Sequence, residues 1–316
     1  MSVRIHVCPK DDPMSWEDFV KKTPPFSVAL DGYVMDGPRF DPVGPHANYN
    51  HHENVDRLAT RATCAQVLMA IRLGFFRTFR GKEIHLWVND CDEDVCLSVF
   101  LLKYGFMAKH PINPLLNRLV NVEEILDTTA GAYPYPDDLP VLQEIAWIFS
   151  PYRRFRLSGE LDWRDEKSFK GVIDDVDHRI MKYLTGQGEK QDLDTRYERL
   201  ANGPNFVMVK EIGAEARTGI FADNEHSYIS VRERPDGRHT YTVGRMSLYI
   251  PFPVKAILEE CSKAEPDPTA LWGGSNTIGG SHRAMGSGLD LQQVLDISTQ
   301  EVVRLVGISG NHETMR

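Results

Sequence analysis

Residues 26–30, FSVAL, form a short apolar run that stops at a loop dense in Gly, Pro and Asp, running from Asp31 to Pro45. Such a run predicts a buried strand that delivers Asp31 to its carboxyl end. The segment RATCAQVLMAIRLGFF (61–76) has helical periodicity, with Thr60 or Thr63 placed to cap it. KEIHLWVND (82–90) predicts the next strand and ends in acids, and VCLSVFLLKYGF (95–106) predicts a largely apolar helix directly after it. Strand, polar loop and helix thus recur twice. That pattern predicts an α/β fold with a parallel sheet covered by helices, whose function gathers at the carboxyl ends of the strands.

From LPVLQEIAWIFSPYRRF (139–155) to LDTRYERLANG (193–203) the pattern reads as helices with charged faces. The character changes near ANGPN (201–205). NFVMVKEIG (205–213), TGIFAD (218–223), SYISVRER (227–234) and HTYTVGRMSL (239–248) are short alternating runs that predict strands, with RPDGRH (234–239) as a hairpin turn. FPVKAILEECSKA (252–264) predicts a helix, and the glycine-dense WGGSNTIGGSHRAMGSG (272–288) follows. The expected organisation is an N-terminal domain over residues 1–200, including a helical linker, and a second, smaller α+β domain over 201–316.

Composition narrows the function classes. A chain of 316 residues, 41% hydrophobic and 26% charged, is long enough for two domains on a prior of roughly 150 residues each. A net charge of -9 argues against a surface for long duplex nucleic acid, which would need clustered Lys and Arg, and leaves room for a local pocket that takes a short anionic substrate. The five cysteines are odd in number and lack C-x-x-C spacing, so they read as reduced thiols of a cytoplasmic protein. No apolar run has the length of a membrane span and the N-terminus lacks a signal-peptide core, so no membrane association is expected. Nothing in the pattern speaks against a homo-oligomer.

The candidate chemistry lies in two places. Asp90, Asp92, Glu93 and Asp94 crowd between a predicted buried strand and a predicted buried helix. Like charges that close repel unless protons or a cation neutralise them, and oxygen-rich sites suit Mg2+ or Mn2+. The alternative is a helix N-terminus decorated with acids, which the helix dipole favours. The adjacent His51 and His52 tilt the balance, because imidazole with carboxylate is a common ligand set for Mn2+, Fe2+ or Zn2+. A bridging acid must come from elsewhere. Asp31, Asp36 and Asp41 all precede the pair, and the strand-end position favours Asp31.

These motifs resemble the DHH phosphoesterases. That family has a D-x-D-x-x-x-S motif running from a strand into a helix, similar to Asp92, Asp94 and Ser98 here. Its Asp-His-His motif resembles Asn50-His51-His52, its isolated strand-end Asp resembles Asp31, and a later Asp resembles Asp127. A Gly-Gly-Gly-His segment of its C-terminal domain is similar to GGSHRAMG (279–286). The chain departs from the family in motif order, with the His pair first, which implies a circular permutation, and in Asn50, where the family has Asp.

The resemblance implies a pair of Mn2+ or Mg2+ ions held by Asp31, His51, Asp92, Asp94 and Asp127, with Asp92, Asp94 and His52 as catalytic residues and His52 on the substrate phosphate. Two ions about 3.5–4 Å apart would activate a water for in-line attack on phosphorus. Gly279, Gly280, Ser281, His282 and Arg283 would bind another anionic group of the substrate, a small phosphorylated molecule or short oligonucleotide in a cleft between the domains. The alternatives are a catalytically impaired ligand-binding or regulatory protein, which Asn50 favours, and a metallohydrolase of another class, such as an amidase. Around these motifs, His46 beside Pro45 reads as an exposed loop residue or a supplement to His51, and Asp90 as a solvated turn residue or an extra ligand. Glu53 reads as an outer partner of a ring N–H or a surface acid, Arg61 as a phosphate contact or a surface ion pair, and Cys64, Cys91 and Cys96 as small buried hydrophobes.

Overall fold

In the computed structural model, residues 2–79, 81–109, 113–133, 135–136 and 138–313 are described, with side chains to residue 307. The chain divides into two compact units, Met1–Thr128 with Pro140–Asp192, and Thr129–Leu139 with Leu193–Arg316.

The first unit runs β1 (Ser2–Val7), α1 (Trp16–Lys22), β2 (Ser27–Leu30), β3 (Arg39–Asp41), β4 (His46–Tyr49), α2 (Thr63–Leu73), α3 (Phe75–Phe79), β5 (Glu83–Val88), α4 (Glu93–Lys103), α5 (Gly105–Lys109), α6 (Pro114–Thr128), α7 (Pro140–Leu157) and α8 (Glu166–Leu184). Its sheet has the order β1-β5-β2-β4-β3. The first four strands are parallel, and β3 pairs antiparallel with β4. The sheet is therefore mixed rather than purely parallel. The β3–β4 connection, residues 42–45, is far too short for a crossover and allows only a hairpin. Central β2 is buried along its whole length, as its continuous apolar run requires, whereas β5 alternates, with Ile84, Leu86 and Val88 inside. Helix α4 is apolar almost all round and packs with α2, α5, α6 and α8, so it is a core helix of this unit.

The second unit runs β6 (Tyr197–Gly203), β7 (Phe206–Glu211), α9 (Ala216–Ala222), β8 (Ser227–Glu233), β9 (His239–Arg245), α10 (Val254–Ala264), β10 (Gly273–Gly274), β11 (Ile278–Gly280) and α11 (Leu291–Glu313). Its sheet has the order β10-β11-β9-β8-β7-β6, with β7 and β8 parallel and the other pairs antiparallel. One face, with Met208, Ile229 and Val243, packs on α10 and α11 through Ile257 and Val302. The other face carries Val207, Val209 and Tyr228 against Ile220 and Phe221 of α9 and Ala132 of the segment before α7.

Two expectations are corrected in this unit. The run at 218–223 lies in helix α9 and its end, not in a strand, because parallel β7 and β8 need a crossover and this segment supplies it. The segment 193–203 ends in strand β6 rather than a helix; β6 is an edge strand with a bulge between Arg199 and Ala201, which hides the period of two. Among the described residues no helix is long and apolar enough to cross a membrane.

Candidate metal centre

Strands β5, β2 and β4 lie side by side and parallel, with Leu30 level with Tyr49 and Ala29 level with Trp87. Their carboxyl ends therefore open on one space. Asp31 follows β2 directly, His51 and His52 follow β4, and Asp94 sits in the first turn of α4, just beyond β5. Asp127 comes from the last turn of α6. Asp31 has a left-handed backbone, φ 49°, followed by Gly32 at φ 84°, a strained turn of the kind that aims functional side chains.

His51 Nε2 is the common point of the cluster. It lies 2.7 Å from Asp127 Oδ2, 3.5 Å from Asp31 Oδ1 and 3.8 Å from Asp94 Oδ2. The side chains of His51, Asp31 and Asp94 are all but sealed from solvent. His52 Nε2 is 2.9 Å from Asp31 Oδ1, so two triads, Asp31-His51-His52 and His51-Asp94-Asp127, share His51. Neither nitrogen of His51 has a hydrogen-bond partner among the described residues, nor does Asp127 Oδ2. At this distance His51 and Asp127 form an ion pair when the imidazole is protonated, and once it is not, the two atoms are spaced as neighbours on a coordination shell would be. Metal–ligand bonds of about 2.0–2.2 Å set neighbouring ligands roughly 3 Å apart. The donor set, one imidazole and three carboxylates, could hold a divalent metal ion.

Asp94 also has a second duty. Helix α2 begins at Thr63 behind Ala62, which has no side chain to cap it, and neither Thr60 nor Thr63 is its N-cap. The cap comes from Asp94 instead, whose oxygens accept the N–H groups of Thr63 at 2.7 Å and Cys64 at 2.6 Å. Thr63 Oγ1 in turn donates to Asp31 Oδ1 at 3.0 Å. The N-terminus of α2 thus holds two acids of the centre in place.

Crowding separates the acids electrostatically. Burial, with Asp31 and Asp127 nearby, pushes Asp94 up to about 7. Burial acts the same way on Asp31 and Asp127, but His52 and His51 outweigh it at Asp31, and His51 and Arg57 outweigh it at Asp127, so both stay below the usual carboxylate range. Burial opposes charge on His51 too, yet Asp127 raises it above the ordinary histidine value. Asp92, expected as a ligand, belongs to neither triad: it is the N-cap of α4, accepting from Val95 N–H at 2.9 Å. Burial, then Asp31, Asp90 and Asp127, drives its carboxyl well above the usual range, so Asp92 feels the centre while serving its own helix.

The departure at Asn50 has a physical account. Its buried amide lies within hydrogen-bond distance of Val34 O at 3.1 Å, Asp36 O at 3.0 Å and Glu53 Oε2 at 2.6 Å, and its Oδ1 accepts from His52 N–H at 3.0 Å. An Asp here would turn an anionic oxygen toward two carbonyls and a carboxylate. Asn50→Asp is expected to lower stability by about 1–3 kcal/mol in urea unfolding; unchanged stability would contradict this assignment.

The other sequence candidates have local roles. Asp36 pairs with Arg39 at 2.6 Å and Asp41 accepts from Val43 N–H at 2.8 Å, which leaves Asp31 as the acid facing the His pair. His46 is buried in β4 against Phe19, not exposed, and Asp90 is buried with Cys91 N–H on its Oδ1, not a solvated turn residue. Arg61 pairs with Glu124 at the surface. Cys64, Cys91 and Cys96 are buried free thiols.

In the second unit, Gly279 and Gly280 lie in β11, where added Cβ atoms would strike Leu258 and the backbone of Tyr241. Ser281 Oγ accepts from Tyr241 N–H, and His282 Nδ1 accepts from Met285 N–H at 3.1 Å. Close strand packing accounts for these glycines without an anion. Three residues escape the sequence reading: Arg57, Thr63 as a donor to Asp31, and Glu123, buried one helical turn before Asp127 and raised well above the carboxylate range by burial and then Glu93. The i, i+4 spacing of Glu123 and Asp127 was a signal for the last; Arg57 and Thr63 had none.

Comparison of the chain with protein-family models, with curated proteins and with solved structures finds no match.

Proposed function

We propose that the chain is a divalent-metal-dependent phosphoesterase of the DHH type, hydrolysing a small phosphorylated molecule or short oligonucleotide. The observation that carries this reading is the convergence of Asp31, His51, Asp94 and Asp127, from segments distant in sequence, around His51 Nε2 and Asp127 Oδ2, two buried atoms 2.7 Å apart. A bound Mn2+ or Mg2+ would supply Lewis-acid stabilisation of phosphoryl oxygens and a lowered pKa for water. The chain's own residues do the rest. Asp31, His51, Asp94 and Asp127 hold the cation, Thr63 and the α2 N-terminus hold Asp31 and Asp94, and His52 stands at the edge of the centre, partly open to solvent. The net charge of -9 favours small substrates over long duplexes. Gly279, Gly280, Ser281, His282 and Arg283 enter the proposal as substrate residues through the family resemblance alone.

The test is a manganese titration followed by hydrolysis of bis-p-nitrophenyl phosphate. Asp94 must lose its proton to ligate, so affinity should fall as pH drops through about 7, by about tenfold per pH unit for each proton released. A pH-independent affinity would contradict the Asp94 assignment. A second reading, a metal-free binding or regulatory protein, is favoured by Arg57, whose guanidinium neutralises Asp127 in place of a cation. It predicts no Mn2+ binding and no turnover.

A further inference from the structure

Arg57 is buried in the loop after the His pair, 5% exposed, and its guanidinium joins two parts of the centre. One amino group, Nη1, is 2.9 Å from His52 Nδ1. The other, Nη2, donates to the backbone carbonyl of Asp127 at 2.9 Å and to its Oδ1 at 3.2 Å. A guanidinium carries only donors and keeps its charge at any ordinary pH, so the imidazole nitrogen that faces it must accept. His52 Nδ1 therefore has no proton. The proton of the neutral ring sits on Nε2, and Nε2 points at Asp31 Oδ1, an acceptor 2.9 Å away. Both contacts of the ring agree on one tautomer. Two further anchors fix its position: the backbone N–H of His52 donates to Asn50 Oδ1, and Arg57 is tied to α6 at Asp127.

We propose that Arg57 locks His52 in the Nε2–H tautomer, so that His52 faces the centre as a hydrogen-bond donor and is not one of its metal ligands. The two adjacent histidines then divide the work. His51, with neither nitrogen hydrogen-bonded among the described residues, is the imidazole available to ligate. His52, with Nδ1 occupied by Arg57, has a single N–H, which it donates to Asp31 Oδ1 at the rim and which an anionic oxygen of a substrate would have to share with Asp31. Arg57 is a positioning residue in this arrangement. The donor role rests on the phosphoesterase reading; the tautomer does not.

The experiment uses the full chain labelled with 15N-histidine, with long-range 1H–15N correlations recorded after chelator treatment and again with Zn2+, and with His52 assigned from the spectrum of His52→Gln. In the metal-free protein near neutral pH, His52 should show an unprotonated Nδ1 and a protonated Nε2. Arg57→Met should release the ring into a tautomer mixture, and Arg57→Lys, which restores a donor, should recover part of the wild-type pattern. With Zn2+ the His51 resonances should move while His52 keeps its Nε2 proton. A wild-type His52 protonated on Nδ1 overturns the proposal, as does an unchanged ring in Arg57→Met. Loss of the Nε2 proton on adding Zn2+ also overturns it, because His52 would then be a ligand. If Arg57→Met does not fold, the wild-type spectra decide alone. A locked tautomer with no response to metal would leave the Arg57 assignment standing and remove the phosphoesterase reading.

Discussion

His51→Ala is expected to abolish tight divalent-metal binding and phosphodiester hydrolysis together while the chain remains folded. His51 Nε2 faces Asp127, Asp31 and Asp94 at 2.7, 3.5 and 3.8 Å, so its removal takes away the group on which the three acids converge. Loss of an outer partner of a metal ligand typically costs 10–100-fold in affinity, and loss of the shared ligand should exceed that. Among the described residues neither ring nitrogen of His51 has a hydrogen-bond partner. Its removal therefore orphans no donor, and the penalty to the metal-free protein should stay in the range of about 1–3 kcal/mol common to core substitutions. Calorimetric titration with Mn2+ reads the first effect and urea unfolding in chelator reads the second. Wild-type affinity in the variant would remove His51 from the centre.

Asp94→Ala should give the largest loss of stability among the site variants, together with loss of metal binding. Two buried N–H groups, of Thr63 and Cys64, would be left without their acceptor, and Ala62 has no side chain to replace it. At about 1–3 kcal/mol for each orphaned group, the loss is roughly 2–6 kcal/mol. Relief of repulsion among the acids works the other way. Asp94 is pushed up to about 7 by burial, Asp31 and Asp127, so at about pH 6 most molecules already carry the proton, little repulsion is relieved, and loss of the acceptors dominates. Hydrogen exchange should show the first turn of α2 opening in this variant at that pH. Asp94→Asn keeps one acceptor oxygen and should lose less stability but no less metal affinity. Equal stability of Asp94→Ala and wild type would remove Asp94 as the cap of α2.

The parts of the site legible in the sequence are those written as local pattern. A fully apolar run ending in Asp31, a strand ending in acids and a helix opening with Asp94 follow from burial and period alone. Strand β4 was hidden because its polar residues are buried: Asn48 donates to the carbonyls of Asp36 and Gly37, so a central-sheet position reads as loop. Helix α9 was hidden because a short apolar run has no period to distinguish helix from strand; only its place between two parallel strands fixes it. Arg57 and the Asp94 cap of α2 depend on contacts across 70 and 30 residues, which no spacing announces. Asn50, a departure from the family motif in sequence, is in space the residue that ties the His-bearing loop to the carbonyls after β2.

The central claim is that these side chains enclose a cation. Crystals grown with Mn2+ and measured at the manganese absorption edge test it most directly. The account predicts an anomalous peak within bonding distance of His51 Nε2, Asp31, Asp94 and Asp127. Well-ordered density for those four side chains, with Arg57 still on Asp127 and no anomalous peak among them, would contradict it.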